Sequence, residues 1–125
     1  MSTVEIQMMF RVLTKQLKTL ESELIIYEVI NKELVDEDLF EGAYYYAQIS
    51  IELSNRFLDE FHIAREFISK FPYANDVIYG ENIRLHLLLK FPYHIHYVID
   101  EERKQVIVLA VIFGKKGNID FSRRK

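Results

Sequence analysis

The chain has 125 residues, of which half are apolar and 17 are Tyr or Phe, with only four Gly and two Pro. This composition predicts one compact globular domain and excludes a disordered or fibrous chain. The absence of cysteine excludes a disulfide framework and a thiolate metal site, and it fits a reducing cytoplasm. We expect no signal peptide, because the N-terminus has no basic start followed by an unbroken apolar stretch. We expect no membrane partner, because the longest apolar run, Val106 to Phe113, falls far short of the roughly 20 residues that a spanning helix needs.

Charge is distributed unevenly along the chain. Residues 1–83 hold 7 Lys or Arg and 15 Asp or Glu, a balance of −8, whereas residues 84–125 hold 9 and 4, a balance of +5, which together give the net −3. The basic second half is the part that could meet a polyanion such as a nucleic acid. An ordinary solvated surface on both halves is the alternative interpretation.

The N-terminal segment has the pattern of an amphipathic helix. Ser2 and Glu5 have the spacing of a capping box, which marks a helix start. Apolar residues then recur at steps of three and four and form one stripe: Ile6, Met9, Phe10, Leu13, Leu17, Leu20 and Leu24. The pattern predicts a helix over residues 3–22.

A strand and a helical hairpin are predicted next. The β-branched and aromatic run 24–30 predicts a first strand, and Asn31 is expected to cap the helix that follows over residues 35–49. Serines in the stretch 50–54 are expected to break the helix and to cap a second one. The inward face of this second helix is predicted to hold Leu53, Phe57, Phe61, Ala64, Ile68 and Phe71. Pro72 is expected to end it.

After a loop over residues 73–82, the apolar period changes from 3.6 to two. Residues 83–90 and 94–99 alternate as two strands of a hairpin, and residues 105–113 form an apolar central strand after a charged turn. The predicted order α, β, α, α, β, β, β indicates an α+β fold with a mainly antiparallel sheet and helices on one face. Odd-numbered apolar residues of the late strands are expected to face the helices.

The same alternation predicts a polar cluster on the opposite face. If even-numbered residues share that face, it carries Arg84, His86, Lys90, His94 and His96. Cations bind phosphate, and histidine transfers protons near neutral pH, so the set suits general acid–base cleavage of RNA. A solvated or partner-covered polar face is one alternative. A zinc site formed by the three histidines is another, although no carboxylate is placed as a further ligand.

Several stretches resemble the RelE/ParE superfamily of toxins from bacterial type II toxin–antitoxin systems, which include plasmid stabilisation proteins. They are Tyr44-Tyr45-Tyr46, Asn55 to Glu60, Ile68 to Pro72, Lys90-Phe91-Pro92-Tyr93-His94-Ile95-His96-Tyr97 and Val106 to Val111. The resemblance covers residues 24–125 and implies a small α+β toxin domain whose open sheet face is the working surface. The N-terminal helix, residues 1–23, is an addition that could pack on its own domain, join a homodimer, or occupy a groove meant for an antitoxin.

Two activities are implied by the resemblance. One is ribosome-dependent cleavage of mRNA without a metal or other cofactor, and the other is non-enzymatic poisoning of DNA gyrase; both are neutralised by a cognate antitoxin. Carried over by position, the cleavage reading expects proton transfer by His86, His94 or His96. It expects RNA or phosphate binding by Arg84, Lys90, Lys115, Lys116 and Phe121. Phe113 stands where the family often has histidine, and Phe121 where some cleaving members have tyrosine, so Phe121 could stack on a base but could not transfer a proton. A catalytically degenerate relative that only binds an antitoxin is the remaining alternative.

Overall fold

The computed structural model describes residues 2–23 and 26–114. The first helix, α1, spans Thr3–Glu23, in agreement with the prediction. The Ser2 hydroxyl accepts a hydrogen bond from the Glu5 amide at 3.2 Å, so the predicted N-terminal cap is present. Every described side chain of α1 up to Thr14 is exposed, including the apolar residues Ile6, Met9, Phe10 and Leu13.

Five strands form one sheet. They are β1 (Glu28–Asn31), β2 (Val77–Tyr79), β3 (Ile83–Leu87), β4 (Tyr93–Asp100) and β5 (Gln105–Phe113). Their spatial order is β1-β5-β4-β3-β2, in which β1 pairs with β5 in parallel and all other pairs are antiparallel. The α+β class with a mainly antiparallel sheet is therefore confirmed. The prediction missed β2, because three residues between two turns give too short a pattern to identify from the sequence alone.

The helical hairpin consists of α2 (Glu33–Ala47) and α3 (Ile51–Lys70). The Ser50 hydroxyl caps α3 by accepting from the Leu53 amide at 3.0 Å, and α3 ends just before Phe71-Pro72, as predicted. The expected cap by Asn31 is wrong. Asn31 is the last residue of β1, paired with Val108, and Lys32 occupies the cap position without a side-chain hydrogen bond.

The core lies between the hairpin and one face of the sheet. Its largest fully buried side chains are Phe57, Phe61 and Ile68 from α3, Val35 from α2, and Ile95, Tyr97, Val106, Val108 and Val111 from the sheet. Phe71, the last residue of the predicted stripe, is exposed instead. The two helices approach closely at Gly42, where an added Cβ would lie 2.6 Å from the ring of Phe57. The sheet's other face is left for the candidate site.

Candidate active site on the open face of the sheet

The face of the sheet away from α2 and α3, called the open face here because no described helix of the hairpin covers it, carries two of the predicted histidines. Its centre is nevertheless buried, with Ala110 0% and Ile112 7% exposed. His94 pairs with Leu87 of β3 and Ile112 of β5, and His96 pairs with Leu85 and Ala110. Directly paired residues project to the same face of a sheet. Since the alternate residues Ile95 and Tyr97 lie in the core beneath the helices, His94 and His96 point to the open face.

The predicted five-residue cluster is wrong, because the hairpin pairs even-numbered residues of β3 with odd-numbered residues of β4. Arg84 lies opposite Tyr97, and His86 lies opposite Ile95. A shift of register by one residue moves every side chain of a strand to the other face. Arg84 and His86 therefore project to the helix side of the sheet, while His94 and His96 remain on the open side. In β3 the odd-numbered residues also do not face the helices: Leu87 is exposed, and so is Leu89 beyond the strand's end.

His96 is nearly enclosed, with 6% of its surface exposed. Its Nδ1 lies 2.5 Å from the hydroxyl of Tyr79, and the two rings meet edge to face with centroids 5.8 Å apart. Burial raises the pKa of Tyr79 to about 12, so this phenol is protonated at neutral pH. Tyr79 lies in β2, the strand that the sequence analysis missed. The only signal for it is the β-branched and aromatic Val77-Ile78-Tyr79 run.

His94 lies at the beginning of β4, more exposed than His96. The two imidazole rings are 6.3 Å apart, as expected for residues i and i+2 on one strand face. Gly114 makes room for the His94 ring, since an added Cβ there would lie 2.7 Å from Nε2. The amide of Gly114 donates to the Pro92 carbonyl at 2.7 Å, which holds the end of β5 beside His94.

His86 lies on the helix side of the sheet and contacts α3. Its Nδ1 lies 3.0 Å from the Asn75 side-chain nitrogen, which requires that this ring nitrogen accept the hydrogen bond. The ring stacks on Phe67 of α3 at a centroid distance of 5.2 Å. Burial lowers the pKa of His86, and this keeps the ring neutral and able to accept. These contacts place His86 in the packing of α3 on the sheet.

The other predicted phosphate ligands lie apart from the open-face histidines. Arg84 donates to the Asn75 carbonyl and lies over the Tyr73 ring, 5.0 Å from its centroid. Lys90 lies in the turn after β3 and lines a depression of about 320 Å³ beside Asp59 and Glu60 of α3. Lys115, Lys116 and Phe121 lie outside the described residues.

A three-histidine zinc site is also excluded, because His86 is on the opposite face from His94 and His96. Within residues 2–23 and 26–114, no group of three His, Asp or Glu side chains could hold a metal ion. The open face therefore offers two neighbouring imidazoles and one phenol, Tyr79. Imidazole exchanges protons readily in neutral solution, so the chemistry that this set supports is proton transfer.

None of the helices in the described part of the chain is long and apolar enough to cross a membrane. Comparison of sequences gave no matching family model and no matching curated protein. Comparison of structures gave a match to a chain in the crystal structure of the toxin–antitoxin complex RelBE2 from Mycobacterium tuberculosis. The match has a TM-score of 0.53 and 16% sequence identity, and it covers 73% of this chain and 94% of that one. The chain therefore has the RelE-like α+β fold that its sequence resemblance implied.

Proposed function

We propose that this chain is the toxin of a bacterial toxin–antitoxin module and that its working surface is the open face of the sheet. The proposal is supported by the RelE-like fold and by the neighbouring histidines His94 and His96 on that face. The two histidines carry the proposal, because they are the titratable side chains that the register brings together on the open side. The partners are a cognate antitoxin, the ribosome with its mRNA, and a second copy of the chain joined through α1, all within the cytoplasm.

The proposed activity is ribosome-dependent cleavage of mRNA by general acid–base chemistry without a metal. In such a cleavage one group takes the proton from the ribose 2′-hydroxyl, whose oxygen attacks the adjacent phosphorus, and another gives a proton to the departing 5′-oxygen. His94 is assigned the exchange with RNA, since its ring is the more exposed of the two. His96 is the second group, with its ring oriented by the hydroxyl of Tyr79. Lys115 and Lys116, which follow β5 in the sequence, are assigned to phosphate binding.

A non-enzymatic function is the second candidate, and one observation favours it. Arg84 is the only Lys or Arg within the five described strands, and it points to the helix side. The described strands therefore present no cation on the open face for a phosphate. A ParE-like toxin that binds gyrase, or a relative that only binds an antitoxin, needs no such cation.

Induced expression in bacteria separates these possibilities. We expect the full chain to arrest growth and to generate new mRNA 5′ ends in primer extension. His94→Ala should abolish both effects, whereas His62→Ala, an exposed histidine on α3, should leave them unchanged at an equal level of soluble protein. Arrest without new mRNA ends would support gyrase binding. No arrest by soluble wild-type protein would overturn the toxin proposal.

A further inference from the structure

We propose that a groove between α3 and β3 binds the N-terminal helix α1 of a second copy of this chain. This α3–β3 groove is a depression of about 300 Å³, and its lining is almost entirely apolar. The residues that line it are Glu60, Ile63, Ala64, Phe67, His86, Leu87 and Leu89. Leu89 is 86% exposed, Leu87 59% and Ile63 57%, so the groove offers apolar area that association would bury.

Along α3 this groove extends from Glu60 to Phe67, a distance of seven residue steps. At 1.5 Å per step this is about 10 Å of mainly apolar surface.

The helix α1 matches this surface in length and in character. The described part of its apolar stripe runs from Ile6 to Leu13, which is also seven residue steps and about 10 Å. These side chains are exposed, with Phe10 at 67%. Burying an exposed apolar helix face in an exposed apolar groove of equal length lowers the free energy. Packing a helix into such a groove is a recurrent mode of recognition.

The point at which α1 joins the domain favours a second copy over the chain's own groove. Tyr27, which follows α1 closely in the sequence, is held against α3, because its amide donates to the Ser69 carbonyl at 2.9 Å. Tyr27 lines a different depression, together with His62, Arg65, Glu66 and Ser69 of α3. At 3.6 residues per turn, these positions lie on the opposite side of α3 from Glu60, Ile63 and Phe67.

Only residues 24–26 separate α1 from Tyr27. Such a link spans at most about 14 Å. To reach the chain's own groove, the link would have to pass around α3, which is about 10–12 Å wide with its side chains. Little of the link would then remain to place α1 in that groove. The groove of a second molecule is under no such restriction.

Phe10, the most exposed residue of the described stripe, is placed in the groove between Ile63 and Leu89. Two molecules exchanging helices in this way form a closed two-fold dimer with two equal interfaces.

Disulfide trapping tests the contact directly, because the chain has no cysteine of its own. We expect a Phe10→Cys protein mixed with an Ile63→Cys protein to give a covalent dimer of about 30 kDa, twice the 15.0 kDa chain, on a non-reducing gel. The matched control mixes Phe10→Cys with Phe40→Cys, an exposed aromatic on α2, and should remain monomeric on the gel. A dimer formed equally well by Phe10→Cys alone would indicate α1 paired with α1. Either that result or no cross-link in the mixture would overturn the proposal.

The mass in solution gives an independent readout. Light scattering should find a dimer for the full chain, and a monomer for both Phe10→Glu and Ile63→Glu, while Phe40→Glu stays dimeric. These substitutions replace exposed side chains, so the fold is preserved. A dimer that survives Ile63→Glu, or a monomeric wild-type chain, would contradict the proposal. The inference rests on the proposed dimer alone. Because neither the cross-link nor the mass depends on growth arrest, a failure of this inference can be distinguished from a failure of the toxin proposal.

Discussion

The helix-facing and open sides of the sheet use the same residue types for different purposes. On the helix side, the hydroxyl of the fully buried Tyr97 donates to the Pro72 carbonyl at 2.7 Å and accepts from Asn75 at 3.2 Å. The same Asn75 amide donates to His86, so one amide fixes both residues. On the open side, the Tyr79 hydroxyl contacts His96, whose ring lies 6.3 Å from that of His94 on the same strand.

This contrast separates structural from functional polar groups. A buried polar group that is fully hydrogen-bonded to its own fold contributes to specificity of packing, and its loss is measured as a loss of stability. His94 on the open side is partly exposed, and its substitution should be measured chiefly as a loss of activity.

The largest effect is expected from Phe57→Ala on the helix side. Phe57 is fully buried against the rings of Tyr46, Phe91 and Tyr93, so its truncation leaves a cavity. We expect the free energy of unfolding to fall by about 3–5 kcal/mol, measured by denaturant titration. The exposed Leu87→Ala on the other side should change it by less than about 1 kcal/mol. Equal losses would show that the two sides are not distinct.

A smaller effect is expected from Tyr97→Phe. The substitution removes one hydroxyl and leaves the Pro72 carbonyl without its donor in a buried position. We expect a loss of about 1–3 kcal/mol, again by denaturant titration. Tyr44→Phe, an exposed tyrosine on α2, provides the control and should leave stability unchanged. A stable Tyr97→Phe protein would contradict the structural role of this network.

His86 should make stability depend on pH. Burial lowers its pKa in the folded state, so the unfolded chain binds the proton more readily. The stabilising contribution is complete above the ordinary value near 6.5, and it diminishes as the pH falls below that value toward the folded pKa. One such group changes stability by at most about 1.4 kcal/mol per pH unit. His86→Asn keeps an acceptor but does not titrate, so thermal unfolding between pH 7 and 5 should lose this component. An unchanged pH dependence would be evidence against it.

Gly114→Ala should have the smallest effect on stability and a clear effect on the proposed activity. The new methyl would lie 2.7 Å from Nε2 of His94, so the half-exposed ring must move away. We expect stability to change by less than about 0.5 kcal/mol. Cleavage of mRNA should fall on the order of tenfold to hundredfold, because a reactive group displaced by about 1 Å loses its alignment. Full cleavage by this variant would show that the position of His94 is unimportant.

Much of the fold could be predicted from the sequence. The period of the apolar residues predicts α1, α3 and the late strands. Ser2, Ser50 and Pro72 mark helix boundaries, because their effects arise from local hydrogen bonds and local steric hindrance. The candidate site was predicted only in part. Whether His86 and His94 lie on the same face depends on the register across the turn 88–92. Alternation within each strand contains no information about that register.

The remaining misses have the same origin in long-range contacts. Asn31 is a good capping residue in isolation, but pairing of β1 with β5 holds it in the sheet. Tyr79 meets His96 only because the short β2 pairs with β3 at the sheet's edge. Both outcomes depend on partners distant in the sequence, which local propensity does not report.

The most direct test of the account compares His94→Ala with His86→Asn in two measurements, melting temperature and mRNA cleavage at an equal level of soluble protein. We expect His94→Ala to keep the wild-type melting temperature and to lose cleavage. We expect His86→Asn to melt at a lower temperature at pH 7 and still to cleave. Retained cleavage in His94→Ala together with its loss in soluble His86→Asn would contradict the assignment of function to the open face.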